Sequence, residues 1–194
     1  RDAFPNMGVL RTQYPWVEPA EKGRDPRVVL KRAQPPSWVG IQAISPALIG
    51  AVIVSEDWSF FSHDGYDPHE IRTALQKDLM EGRFARGAST ITQQVVKNVF
   101  LERDKTLWRK FREFVLSVEL DDKVSKSRIL EVYLNIVELG DGIHGVGRAS
   151  QYYFSKSASQ LTAKEGAFLA MLLPSPKRYS QSFKDQKLTP YARK

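Results

Sequence analysis

The stretch AVIVSEDWSFFSHDG, residues 51–65, changes from apolar to polar within a few positions. The Ser45-Pro46 pair before it is typical of a helix N-cap followed by proline at the first helical position. Residues 47–54 are almost entirely apolar, which predicts a helix that is buried on all sides. Glu56 then falls where this helix ends, so the stretch raises the question of why a carboxylate follows a buried segment.

Two interpretations of Glu56 are open. The plain one is that a Glu-Asp pair ends a helix at the protein surface. The functional one is that burial and the negative end of the helix dipole both raise the pKa of Glu56 towards neutrality, where a carboxylate is a useful proton acceptor. Aromatic residues, His63 and Gly65 follow within ten positions, and this composition favours the wall of a cleft.

Composition limits the class of protein and the kind of partner. The chain has 194 residues, of which 42% are hydrophobic, enough for the core of one domain. Its 29 basic and 22 acidic residues give a net charge of +7, which favours an anionic partner such as nucleic acid, phosphate or anionic lipid. It has no cysteine, which excludes disulfides and thiolate metal sites. No run of apolar residues is long enough to span a bilayer.

The pattern of the remaining chain predicts an all-α domain. Helices are expected at 68–81, at 90–101 and at 107–120, with one that begins after Ser125 and a last one that begins after Thr162. No Asn-Gly hairpin signal and no long alternating run is present.

The same reading divides the chain into three parts and singles out one loop. Residues 1–44 are rich in proline and are expected to form an irregular, extended arm. Residues 180–194 are expected to form a frayed tail. The helical domain is then 45–179. Within it, the segment EGRFARGAS at 81–89 is expected to be a mobile basic loop.

The segment RGASTITQQVVKN, residues 86–98, is the second candidate site. Thr90, Gln94, Lys97 and Asn98 have helical spacing and share one face. A helix start rich in Ser and Thr offers free N–H groups to a phosphate, and Lys97 adds a positive charge. The alternative is an ordinary amphipathic helix with a polar outer face.

The segment TLWRKFREFVLSVEL, residues 106–120, is the third. Its apolar stripe is Phe111, Phe114, Val115 and Val118, and we expect Arg109 and Glu113 to lie on the opposite face. Such a pair is often only a weak surface ion pair. It could also place a carboxylate beside cations that grip a pyrophosphate or a metal bound to it. No Walker motif, zinc-protease helix or Ser-x-x-Lys transpeptidase centre occurs.

Together these segments resemble the peptidoglycan glycosyltransferases, the lysozyme-like family that polymerises lipid II, in its monofunctional type. Four family motifs occur in order between about residue 45 and residue 176. The matching residues are Glu56, Asp57, Phe60, His63 and Gly65; Gly87, Ser89, Thr90, Ile91, Thr92, Gln93, Gln94, Lys97 and Asn98; Arg109, Lys110, Glu113 and Glu119; and Lys126, Ile129, Leu130, Glu131, Tyr133, Leu134 and Asn135.

The resemblance implies a bilobal helical fold, with a larger head lobe and a smaller mobile lobe that faces the membrane. It also implies glycan polymerisation with inversion and release of undecaprenyl pyrophosphate. Glu56 and Glu113 would be catalytic, Glu113 with Mg²⁺ or Mn²⁺, and no organic cofactor is expected. The substrate and its pyrophosphate would be bound by Lys97, Arg109, Lys110, Gln94, Asn98, Ser89, Thr90, Gln93, Arg86, Asp57, His63 and Lys126.

The resemblance also implies partners and a location. Lipid II, the growing glycan strand, the anionic membrane surface and other cell-wall synthesis or division proteins are expected, and nucleic acid is not. The enzyme would work at the outer face of the bacterial cytoplasmic membrane, behind an N-terminal anchor that this chain lacks, and moenomycin would inhibit it. Phe84, with Arg83 and Arg86, is expected to touch the bilayer. The alternatives are a lysozyme-like hydrolase and a basic nucleic-acid-binding module.

Overall fold

A computed structural model describes residues 4–19, 26–69, 89–101 and 106–183. Within these ranges the chain is mostly helical, with two small antiparallel sheets. The helices are α1 Pro46–Glu56, α2 Ile91–Phe100, α3 Leu107–Lys123, α4 Lys126–Ile136, α5 Val146–Phe154, α6 Ala163–Leu172 and α7 Pro176–Tyr179. The strands are β1 Tyr14–Glu18, β2 Arg27–Lys31, β3 Glu138–Gly140 and β4 Ile143–His144.

The helix starts follow the local capping rules that the sequence predicted. Thr90 and Gln93 form a complete capping box at α2, and Thr162 and Glu165 form another at α6. The side chain of Ser125 caps α4. The mostly helical architecture is therefore confirmed. The helix expected at 68–81 and the loop expected at 81–89 lie almost entirely outside the described residues.

Helix α4 is the centre of the core. Ile129, Val132, Tyr133 and Leu134 are all fully buried on it, because α2, α5 and the N-terminal arm surround it. Helix α1 packs on α6 so closely that a Cβ at Gly166 would lie 2.9 Å from the Cα of Leu48. This packing fixes the position of α1, the helix that ends at Glu56.

Helix α1 is not buried on all sides, as its composition had predicted. Leu48 and Val52 face the core, whereas Val54 near its C-terminal end is exposed, as is Trp58 just after it. The prediction failed because the sequence of a uniformly apolar helix does not indicate which side other elements will cover. Among the described elements, α6 makes the main contact with this helix, along one side.

Helix α3 buries the face that the sequence had predicted to be polar. Glu113, Leu116, Ser117 and Leu120 are buried, whereas Phe111 of the predicted apolar stripe is exposed. The prediction was wrong because polar groups on the buried face find partners inside the protein: the Ser117 hydroxyl donates to the carbonyl oxygen of Glu113 at 2.6 Å. Glu113 therefore lies on the inner side of α3, at only 2% exposure.

The segment expected to be an irregular arm contains ordered structure. Residues 7–11 form a 3-10 helix, and β1 and β2 pair in antiparallel register. Met7 and Leu10 are fully buried in the common core. Asn135 of α4 then clasps the backbone of Val39, accepting from its N–H and donating to its carbonyl oxygen, both at 2.8 Å.

Candidate active site

Glu56 is the last residue of α1 and lies beside α2. Its Oε2 accepts a hydrogen bond of 2.9 Å from Nε2 of Gln94. Burial raises the pKa of Glu56 above its usual range, and the Gln94 bond and the positive charge of Lys97 oppose this rise only in part. The sequence had predicted that burial would raise the pKa of Glu56, and the structure agrees in direction. At neutral pH a carboxylate of this kind can accept a proton.

The side chain of Asp57 anchors the start of α2. Its Oδ2 accepts from the backbone N–H of Ile91 at 2.9 Å. Nε2 of His63 lies 2.9 Å from Oδ1 of Asp57, and both side chains are buried. The sequence predicted substrate contacts for Asp57 and His63. In the structure Asp57 holds the backbone at the start of α2 and His63 pairs with Asp57, and their contacts with substrate stay predictions.

Thr90 and Gln93 are likewise engaged within the protein. The Thr90 hydroxyl donates to the carbonyl oxygen of Gly65 at 2.9 Å and accepts from the Gln93 N–H at 3.2 Å. The Gln93 side chain returns the bond, because its Oε1 accepts from the Thr90 N–H. These two residues therefore fix the first turn of α2, which orients Gln94 and Lys97 one turn further on.

Lys97 is near enough to both carboxylates of the site to interact with their charges. It interacts electrostatically with both Glu113 and Glu56, which favour its charged form. Burial nevertheless dominates and lowers the pKa of Lys97, and the nearby charges of Lys110 and Arg109 lower it further. The site thus contains a partly desolvated ammonium group that an added anion would stabilise.

Glu113 organises the remaining cations. Its Oε1 forms an ion pair with Nζ of Lys110, which also donates to Oγ of Ser89 at 3.2 Å. Nε of Arg109 is buried and has no hydrogen-bond partner among the described residues. Lys97, Arg109 and Lys110 therefore form a cluster of three cations around one buried carboxylate, Glu113.

The described residues contain no cluster of side chains that could hold a metal ion without other ligands. No group of three His, Asp or Glu side chains in the described ranges could ligate one. Glu113 is also occupied by Lys110. The expected role of Mg²⁺ or Mn²⁺ stays a prediction, and no catalytic step is derived through a metal.

Three predicted binding residues lie elsewhere or could not be placed. Lys126 forms an ion pair with Asp121 and is not part of the cation cluster around Glu113. Asn98 is exposed on α2. Arg86 lies outside the described residues. Sequence reasoning matched Tyr133 to the fourth family motif but gave it no role at the site, because a buried tyrosine is usually a core residue. Its hydroxyl lies 3.4 Å from Oε1 of Gln94.

Comparison with known proteins settles the family. The profile of the family described as Transglycosylase matches residues 25–193. The chain belongs to the transglycosylase family, the peptidoglycan glycosyltransferases. Its resemblance to them is confirmed, and neither the hydrolase nor the nucleic-acid-binding alternative is favoured.

Several curated relatives are named biosynthetic peptidoglycan transglycosylase. The one from Chromobacterium violaceum is 42% identical over 157 residues, which are 81% of this chain and 67% of the relative. The one from Brucella suis is 43% identical over 173 residues, 89% of this chain and 77% of the relative. The one from Nitrosomonas europaea is 44% identical over 159 residues, 79% of this chain and 65% of the relative. The transglycosylase domain thus spans about two thirds of the length of most of these relatives.

Family membership implies an extracytoplasmic, membrane-associated enzyme that acts on lipid II and a glycan strand. Among the helices of the described ranges, none has the length and apolarity to cross a bilayer.

Proposed function

We propose that this transglycosylase domain polymerises lipid II into glycan strands, with inversion at the donor sugar and release of undecaprenyl pyrophosphate. One observation carries the proposal: a partly buried carboxylate with a raised pKa, Glu56, interacts with a partly buried cation, Lys97, which also interacts with the Glu113 cluster. Inversion needs a base on one side of the reacting carbon and stabilisation of the leaving group on the other. The two groups supply these functions.

Glu56 deprotonates the 4-hydroxyl of the acceptor sugar as that oxygen attacks the donor. The Gln94 bond holds the carboxylate through Oε2, and the second oxygen remains to accept the proton. The raised pKa of Glu56 brings its basicity closer to what proton transfer near neutral pH requires. The proton then leaves with the solvent or with the departing diphosphate.

Lys97, Arg109 and Lys110 stabilise the diphosphate leaving group. Charge-assisted hydrogen bonds from such cations to phosphate are stronger than neutral ones, and they act most strongly where water is excluded. Glu113 holds Lys110 in place, and its negative charge reduces the repulsion among the three cations. This assignment gives Glu113 an electrostatic role that needs no metal ligation.

A stripe of exposed apolar side chains on α3 is our candidate for the membrane contact. We define the α3 stripe as Leu107, Trp108 and Phe111, all of which are exposed, with the rings of Trp108 and Phe111 stacked at 5.6 Å. Arg109, Lys110 and Arg112 alternate with them along the helix. Apolar rings among basic residues suit the interface of an anionic bilayer.

Two further expectations stay predictions. Phe84, predicted to touch the bilayer, lies outside the described residues. Association with other cell-wall synthesis or division proteins is proposed from family membership alone.

The test is a gel assay of glycan chains made from labelled lipid II. The wild type should produce chains, and Glu56→Gln should reduce the rate by roughly 10²–10⁴-fold because it loses general-base catalysis. Asp122→Asn, which removes an exposed carboxylate on α3, is the matched control and should remain active. Fragments released from finished peptidoglycan would favour a hydrolase instead, and salt-sensitive DNA binding would favour a nucleic-acid-binding module. Activity of Glu56→Gln above about a tenth of wild type would exclude Glu56 as the base.

A further inference from the structure

An ion pair with little exposure joins the end of α3 to the start of α4. Nζ of Lys126 lies 2.6 Å from Oδ2 of Asp121, and the side chains are 22% and 3% exposed. Burial alone would disfavour the Asp121 carboxylate, since it raises its pKa, and the bond from Lys126 opposes that effect. A pair of this kind is weak evidence for stability, because desolvation offsets most of its attraction. The residues that the pair contacts indicate a role in positioning the active site.

Both members of the pair touch the loop that follows Glu56. We define the base loop as residues 57–67. Nζ of Lys126 lies over the ring of Phe60, 4.5 Å from its centroid. The carboxylate of Asp121 lies close enough to the backbone N–H of Gly65 and to His63 for both to favour its charged form. The pair therefore contacts the base loop at Phe60 and interacts electrostatically with it at His63 and Gly65.

The base loop in turn fixes α2, which carries Gln94 and Lys97. At its start, Asp57 accepts from the N–H of Ile91 at 2.9 Å. Near its end, the carbonyl oxygen of Gly65 accepts from the Thr90 hydroxyl at 2.9 Å. A displacement of the base loop would therefore move the first turn of α2 relative to the carboxylate of Glu56.

We infer that Lys126 and Asp121 are a positioning pair that sets the geometry of Glu56 through the base loop, and that Lys126 is not a ligand of the pyrophosphate. This inference rests on the proposed function. The ammonium group of Lys126 is already neutralised by a carboxylate and covers an aromatic ring, so it is poorly placed to bind a further anion. The family resemblance alone had placed it with the substrate-binding residues.

The experiment compares Lys126→Met, Asp121→Asn and the double variant in steady-state polymerisation of lipid II, together with binding of labelled moenomycin. Each single variant should lower kcat by about tenfold to a hundredfold with KM unchanged, because displacement of a catalytic group by about 1 Å costs on the order of 10²-fold. The losses should not multiply in the double variant, because both substitutions break the same contact. Lys126→Arg keeps the charge and should retain most activity. Moenomycin affinity should be unchanged in all variants, with Asp122→Asn as the matched control.

Opposite results would overturn the inference. If Lys126 binds the pyrophosphate directly, Lys126→Met weakens moenomycin binding and raises KM, whereas Asp121→Asn changes neither. Losses that multiply in the double variant would also contradict a shared role. A single variant can fail to fold because it leaves one buried charge without its partner. The double variant removes both charges, so its activity and moenomycin binding then test the inference. In that variant, lower kcat with unchanged moenomycin affinity supports the pair, and weaker moenomycin binding contradicts it. An inactive wild type would instead contradict the proposed function itself.

Discussion

At the scale of single residues, burial acts in opposite directions on the two charged groups that carry the proposed chemistry. It raises the pKa of Glu56 and lowers the pKa of Lys97. Glu56 acts as a base only when it is deprotonated, and Lys97 holds a phosphate only when it is protonated. The pH range in which both forms coexist is therefore narrower than ordinary Glu and Lys side chains would give.

The first prediction follows for the pH dependence of polymerisation. The plot of kcat/KM against pH should be bell-shaped, with an acid limb above the usual carboxyl range and an alkaline limb below the usual lysine range. Gln94→Met removes a donor that lowers the pKa of Glu56, so the acid limb should move to higher pH. An acid limb that stays in place in Gln94→Met would show that Gln94 does not act on Glu56.

The second prediction separates stability from activity. Because the pKa of Glu56 is raised in the folded state, its ionised form destabilises the fold above that pKa. Glu56→Gln should be inactive yet unfold at a higher temperature than wild type at neutral pH. The difference should close as the pH falls through the folded-state pKa towards the usual carboxyl range, where wild-type Glu56 is protonated as well. Thermal melts across this pH range are the measurement, and equal melting temperatures at pH 7 would contradict it.

At the scale of secondary-structure elements, the ends of helices were predictable and their orientations were not. The capping boxes at Thr90 and Thr162 involve residues three positions apart, so the sequence alone contains both partners. The orientation of α3 depends on what covers it. Its predicted apolar stripe is exposed at Phe111, and its buried face carries Glu113, whose carboxylate pairs with Lys110 one turn earlier on the same helix.

The third prediction concerns the exposed side of α3. Replacing the α3 stripe by serine should weaken sedimentation with anionic liposomes, while thermal stability changes little because the side chains are exposed. Tyr152→Ser is the matched control, since Tyr152 on α5 and Trp108 are each 63% exposed. Equal sedimentation of the stripe variant and the wild type would exclude the stripe as the membrane contact.

At the scale of the whole molecule, the N-terminal segment is part of the domain. Its residues Met7 and Leu10 complete the core, and Arg128 of α4 donates to the carbonyl oxygens of Leu10 at 2.9 Å and Gln13 at 2.8 Å. The sequence could not predict this, since the contacts join positions more than a hundred residues apart. The Lys126–Asp121 pair is close in sequence, but its contacts with the base loop share this long-range character.

The fourth prediction tests how the segment is held. Asn135→Ala leaves the partly buried N–H and carbonyl groups of Val39 without these partners, at a cost below the roughly 1–3 kcal/mol that each fully buried unsatisfied group would carry. The melting temperature should fall, and limited proteolysis should cleave the N-terminal segment first. Gln151→Ala, an exposed amide on α5, is the control. Wild-type protease resistance in Asn135→Ala would show that the segment is held by packing alone.

The contact at Gly65 has a consequence for how the site can move. Gly65 has φ +81°, and a Cβ built there would lie 2.5 Å from the carbonyl oxygen of Ser117. The backbone of Gly65 packs directly on the backbone of Ser117, so no side-chain rotamer change could make room for a larger residue at Gly65. Gly65 therefore acts as a spacer of fixed thickness between the base loop and α3, the helix that carries Glu113. A single methyl group at this position would push the supports of both carboxylates apart, whereas no substitution can bring them closer.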